Sequence, residues 1–290
     1  MNVSQPSLSR RSIAIAAAAL VGVVSLAIGA HAALNKRALD FSNSVTAEQS
    51  ADAGKRPSRV ALVIGNGHYP DANVALTQSI NDARGLSAVL RGNGFDVDVI
   101  EDASKDDITR AVARLKAKVR PDSVVMLFFG GYGIQVGRES YMIPVDAAIW
   151  KESDVRRNGV SVESVLEAMK EQGACAKLVV LDASRRNPYE RRFRGFSHGL
   201  APINAPDNAL IISSAAPGKV ADDSAGTNSV LVSELLGRID AKANRVNAAE
   251  AIFNSTRVAI ARSTEGAQVP SVSSSLLEDV SFNVTDKAGG

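Results

Sequence analysis

From Arg59 onward the chain alternates short, nearly unbroken apolar runs with longer segments in which apolar residues recur every three to four positions. Runs of the first kind suit strands covered on both faces, and segments of the second kind suit helices laid against a sheet. The pattern predicts strands at residues 60–64, 95–100, 123–129, 177–182, 209–213 and, late in the chain, near 280–284. VVMLFF and KLVVLDA are the most continuous runs, so they are expected at the centre of the sheet. Helices are predicted over 77–91, 106–118, 161–172, 229–243 and 247–263. The first of them closes on Gly92-Asn93-Gly94, residue types that accept the left-handed backbone of a helix stop. Strands and helices alternating in this way predict an α/β fold, with a doubly wound, mostly parallel sheet of about six strands between two helix layers.

The front of the chain follows another pattern. Residues 1–32 hold no acid, carry Arg10 and Arg11, run apolar from Ile13 to Gly29 and end in Ala30-His31-Ala32, a small-x-small cleavage pattern. They read as a signal peptide, and Ser9-Arg10-Arg11 fits a twin-arginine signal. The same run, residues 13–29, also reads as an uncleaved membrane tether, with Lys36 and Arg37 behind it. The expected location is periplasmic or secreted on the first reading and anchored in the inner membrane on the second. Residues 33–57 lack apolar periodicity and read as a flexible linker, which leaves 58–285 as one folded domain.

Composition narrows the chemistry. With 45% hydrophobic and 22% charged residues and a mean hydropathy of zero, the 290-residue chain is neither disordered, collagen-like nor a multi-span membrane protein. A net charge of +2 gives no ground for a nucleic-acid partner. The single cysteine, Cys175, excludes an intrachain disulfide and any CxxC motif, and three scattered histidines argue against zinc, so neither metal nor cofactor is expected.

In an open parallel sheet, ligands meet the loops at the carboxyl ends of the strands. Here those loops read Gly65-Asn66-Gly67-His68-Tyr69, Gly130-Gly131-Tyr132-Gly133 and Ala183-Ser184-Arg185-Arg186-Asn187-Pro188. A dinucleotide fingerprint fails at Pro70, which stands where its third glycine belongs. RVALVIGNGHYP, SINDA at 79–83, FFGGYGIQVGRESYMIPVDA, KLVVLDASRRNPY, ALIISSAAPGKVADDSAGTNS and QVPSVSSSLLEDVSF together resemble the caspase-like peptidases, specifically the bacterial metacaspase (orthocaspase) branch, over residues 59–283.

That resemblance implies a cysteine-type endopeptidase fold with a histidine base in a Gly-His-Gly loop and a cysteine nucleophile in Asp-x-Cys. At the matching positions this chain has Tyr132 and Ser184, 52 residues apart, close to the roughly 50-residue interval of caspases. Cys175 lies nine positions ahead of Ser184, too far along the strand to take over. A serine hydroxyl needs a base to become nucleophilic, and a tyrosine with a pKa of about 10 stays protonated at neutral pH. Peptide hydrolysis is therefore expected to be negligible, because losing either member of a nucleophile–base pair costs on the order of a millionfold in turnover.

The resemblance further implies an acidic pocket for Arg or Lys, formed by Asp82 and Asp182, with Gly130 where the family has a pocket hydroxyl. Two desolvated carboxylates facing a guanidinium give that preference its physical basis. The plainer reading has Asp82 facing solvent on its helix and Asp182 capping a loop. The amides of Gly133 and Ser184 are expected to form an oxyanion nest. His68 is a candidate substitute base, and His198 a weaker one. Arg185, Arg186, Arg191, Arg192 and Arg194 read as a solvated basic loop, with a sticky basic segment for an acidic partner or lipid head groups, or a pseudosubstrate in the chain's own pocket, as the alternatives. Trp150 reads as a packed loop anchor.

The leading expectation is a catalytically inactive peptidase homologue that binds Arg/Lys segments or regulates a partner. The alternative is an unconventional Arg/Lys endopeptidase using Ser184 with His68 or Tyr132. A third is a structural domain whose old cleft is filled.

Overall fold

The computed structural model describes residues 57–72, 75–193, 199–221, 226–239 and 248–282. The predicted leader and most of the predicted linker lie outside the described residues. The strands, in chain order, are β1 (Arg59–Gly65), β2 (Asp96–Glu101), β3 (Val124–Gly130), β4 (Gly133–Val136), β5 (Glu139–Met142), β6 (Val160–Ser161), β7 (Ala176–Asp182), β8 (Ala209–Ser213) and β9 (Ser271–Ser274). The helices are α1 (Thr77–Gly92), α2 (Lys105–Lys118), α3 (Glu152–Asn158), α4 (Val162–Glu171), α5 (Val230–Ile239) and α6 (Ala249–Ser263).

Six strands form one sheet in the order β2-β1-β3-β7-β8-β9, parallel except for β9, which runs antiparallel to β8. The doubly wound α/β class is as the hydrophobic pattern predicts. Alternation within each strand feeds two cores. Val60, Leu62 and Ile64 of β1 pack with Ile108, Leu115, Val165 and Met169 of α2 and α4 on one face. Ala61 and Val63 pack with Leu86, Leu90, Leu235 and Phe253 of α1, α5 and α6 on the other. β3 and β7 are buried at every position, which accounts for the unbroken hydrophobicity of β3 and of residues 178–181 in β7, flanked by Lys177 and Asp182. Local signals set the helix starts: Ser104 accepts from the Asp107 amide and the Asp107 carboxylate accepts from the Ser104 amide, a reciprocal cap on α2.

Two expectations need correction. The last strand is Ser271–Ser274, not 280–284. An edge strand needs apolar contact on one face only, and Val272 supplies it. Val280 and Phe282 instead anchor the following segment: Phe282 is fully buried 6.0 Å from the Phe253 ring, and its carbonyl accepts from Arg59 Nη1 at 2.8 Å. Residues 283–284 lie outside the described set.

The second correction is an addition. Residues 133–160, which the hydrophobic pattern leaves as loop, hold helix α3 and, with Ser161, a small antiparallel sheet, β4-β5-β6. The β4–β5 hairpin turns on Gly137-Arg138, and Gly137 has φ +66, the left-handed conformation that a tight two-residue hairpin requires of its first turn residue.

Candidate functional site at the carboxyl ends of the strands

Chain order reverses between β1 and β3, so their carboxyl ends form the switch point of the sheet. The register sets Gly65 beside Gly130 and Gly130 beside Asp182, so the three predicted loops leave from one line. Backbone hydrogen bonds lace them together: the Asn66 amide donates to the Gly130 carbonyl at 2.8 Å, Gly131 to Asp182 at 3.2 Å and Gly133 to Ala183 at 2.9 Å. The buried Asn66 side chain adds a brace, donating to the Ile143 carbonyl at 3.2 Å and accepting from the Ala103 amide at 2.9 Å. Gly65 permits the close approach of α1, since a Cβ there would stand 2.6 Å from the Ser79 carbonyl oxygen.

Ser184 is fully buried, and its hydroxyl has no hydrogen-bond partner among the described residues. Its amide donates to Ser214 Oγ at 3.3 Å, and its carbonyl accepts from the Ala221 amide at 2.6 Å. The amide of Gly133 is committed to Ala183. Both amides expected to form the oxyanion nest thus serve acceptors inside the fold, and the chain packs closely around the Gly133 Cα. A Cβ at Gly133 would stand 2.5 Å from Leu200 Cδ2 and 2.8 Å from the Ala183 oxygen.

Tyr132 is half-buried and packs edge-on against Tyr69, ring centres 4.8 Å apart. The Tyr69 hydroxyl accepts from the Tyr132 amide at 3.1 Å and donates to the Ile143 carbonyl at 2.9 Å. Burial raises the Tyr69 phenol well above its ordinary value. His68 is exposed, its Nδ1 2.6 Å from Asp102 Oδ2. Asp102 Oδ1 also accepts from the amides of Gly67 and His68, each at 2.9 Å. Partial burial pushes the Asp102 carboxyl up, but the bonds from His68 and Gly67 outweigh it and hold it below the usual carboxylate value. A carboxylate on Nδ1 orients the ring and leaves Nε2 outward, an arrangement suited to a base. It does not reach Ser184, whose hydroxyl is unbonded. Cys175 precedes β7, at the opposite end of that strand from Ser184.

The two carboxylates lie near enough to sense each other's charge. Asp82, on α1, is fully buried, which corrects the solvent-facing alternative. It accepts from Asn228 Nδ2 at 2.8 Å and from the Ser229 amide at 3.0 Å, beside the start of α5. Burial, then the neighbouring charge of Asp182, push its carboxyl up to about 7 against the pull of those bonds. Asp182, the last residue of β7, is 1% exposed and faces Arg185 Nη2 at 3.3 Å.

Sequence reasoning missed the place of Arg185. It is 3% exposed, whereas Arg186, Arg191 and Arg192 are exposed, so the basic run is not uniformly solvated. Nothing in a string of arginines marks the one that turns inward. Ser79 was missed as well. It stands one helical turn before Asp82, its hydroxyl is buried with no partner among the described residues, and its Cβ would lie 3.3 Å from a Cβ on Gly130. A hydroxyl absent at position 130 is thus present next to it on α1. Trp150 is 71% exposed, which corrects the packed-anchor reading. The Arg192 guanidinium covers its ring at 4.7 Å and bonds Asp71 at 3.2 Å. Arg194 and His198 lie outside the described residues.

A family model described as Caspase domain matches residues 58–281. Mucosa-associated lymphoid tissue lymphoma translocation protein 1 of Homo sapiens is 28% identical over 144 residues, 49% of this chain and 17% of that protein. Its homolog of Mus musculus is 29% identical over 133 residues, 46% of this chain and 16% of that protein. The matched stretch spans about one sixth of the length of these curated relatives.

Proposed function

We propose, since the chain belongs to the caspase-domain family, that its domain binds basic peptide segments or a partner protein without cutting them. Within the family we assign it to the metacaspase (orthocaspase) branch that its loop motifs resemble, with Tyr132 at the base position and Ser184 at the nucleophile position. The observation that carries this reading is the Ser184 hydroxyl, buried and bonded to nothing among the described residues. An activated serine donates its proton toward a base, and none is in hydrogen-bond reach. The transition state fares no better, because the amides of Gly133 and Ser184, the donors that the resemblance implies for an oxyanion, are engaged elsewhere.

The binding half of the proposal rests on Asp82 and Asp182. Two enclosed carboxylates in one electrostatic neighbourhood favour a guanidinium or ammonium group. The acid-free, apolar front of the chain supports an extracytoplasmic setting, exported or tethered through residues 13–29. A fluorogenic Arg- or Lys-terminated peptide tests the first half. Neither the wild-type chain nor Ser184→Ala is expected to release fluorophore above background, and turnover that Ser184→Ala abolishes would overturn the proposal.

The rival reading, an endopeptidase using Ser184 with His68, is favoured by one observation, the orienting bond from Asp102 to the His68 ring. It requires a rearrangement that brings the imidazole to the hydroxyl. The same assay with His68→Ala decides it, since loss of turnover there would identify the base.

A further inference from the structure

Arg185 follows the nucleophile position directly, where an exposed side chain would be unremarkable, yet it is 3% exposed and faces Asp182, itself 1% exposed, across 3.3 Å. Its backbone is held on both sides: the amide donates to the Ala183 carbonyl at 2.9 Å and the carbonyl accepts from the Gly199 amide at 3.3 Å. These bonds turn the chain back over the end of β7. An enclosed guanidinium is tolerable only beside a compensating carboxylate, and Asp182, whose charge Asp82 senses in turn, supplies it. One cation therefore already answers the carboxylate at the end of β7.

We propose that Arg185 is the resident ligand of the chain's own acidic pocket, a guanidinium held in cis where an external arginine or lysine would otherwise bind. The inference rests on the reading of Asp82 and Asp182 as a guanidinium site. An incoming basic side chain meets a filled volume and a like charge. It also competes with a ligand whose short tether gives it an effective concentration that dilute peptide does not match. External affinity is thus reduced by the fraction of molecules in which the turn has released Arg185. A partner gains entry by moving the 183–187 turn, and the pocket stays shut until it does.

The test uses p-aminobenzamidine, a fluorescent aryl amidine, titrated into the full chain as wild type, as Arg185→Ala and as Arg185→Ala with Asp182→Asn. Arg185→Ala is expected to bind at least about tenfold tighter than wild type, and the double variant to lose that gain. Equal binding by wild type and Arg185→Ala would overturn the plug while leaving the acidic pocket standing. A natively folded Arg185→Ala, judged by circular dichroism, that binds no probe would overturn the pocket reading itself, and the plug with it. Should Arg185→Ala not fold, nitrogen-15 NMR of the wild-type arginine side chains gives the answer. A slowly exchanging Arg185 Nε–H supports the plug, and fast exchange at Arg185 overturns it.

Discussion

Asp82 shows how one residue can be legible in kind and hidden in setting. Its place in SINDA, through the family resemblance, implies a pocket carboxylate, but only the packing of α1 against the start of α5 reveals that it is fully enclosed. The consequence is measurable. A carboxyl raised from 3.8 to about 7 in the folded chain binds its proton more tightly there than in the unfolded chain. Between those values folding takes up a proton, so stability is full below the unfolded pKa and declines as pH rises toward about 7. Asp82→Asn keeps an acceptor for the Ser229 amide and removes the charge. Thermal melts are expected to show wild type losing several degrees more than Asp82→Asn between pH 5 and pH 8, and parallel curves would refute this. Ser184 and Tyr132 were singled out by motif spacing, which can outlast a substitution at the reacting positions that the resemblance implies. The inward turn of Arg185 was not, because identical neighbours in sequence differ only in what the backbone does with them.

Among elements, the strands at the centre of the sheet were the easiest to read, since burial on both faces leaves no polar interruption in β3 or in residues 178–181 of β7. Short elements hid. β4 and β5 have four residues each, too few for alternation to stand out, although Gly137-Arg138 between two β-branched or aromatic runs was a usable hairpin signal. β9 was displaced because Ser271–Ser274 carries a single apolar residue, while the stronger signal at Val280 and Phe282 belongs to an anchor and not to a ladder. That anchor should matter: Phe282 is fully buried against Phe253, on the face covered by α6. Phe282→Ala is expected to lower unfolding stability by about 3–5 kcal/mol in urea titration, the range for a large aromatic removed from a packed interior. A loss below about 1 kcal/mol would mean that the segment frays without cost.

For the whole molecule, the reversal of chain order between β1 and β3 collects three loops on one rim, and hydrogen bonds between their main chains draw that rim shut. The amides of Gly131 and Gly133 end on the carbonyls of Asp182 and Ala183, and that of Ser184 ends on Ser214. Tyr132→His combined with Ser184→Cys would restore both side chains that the family resemblance implies. The double variant is nonetheless expected to cleave Arg- and Lys-terminated fluorogenic peptides no faster than wild type, and turnover well above the wild-type background would disprove this. Evolution can exchange an imidazole or a thiol one codon at a time, but freeing those knotted main-chain protons demands that whole segments be rerouted. On the proposed reading the loss works as a ratchet: the letters are simple to restore, and a main-chain grip on an acyl oxygen is not.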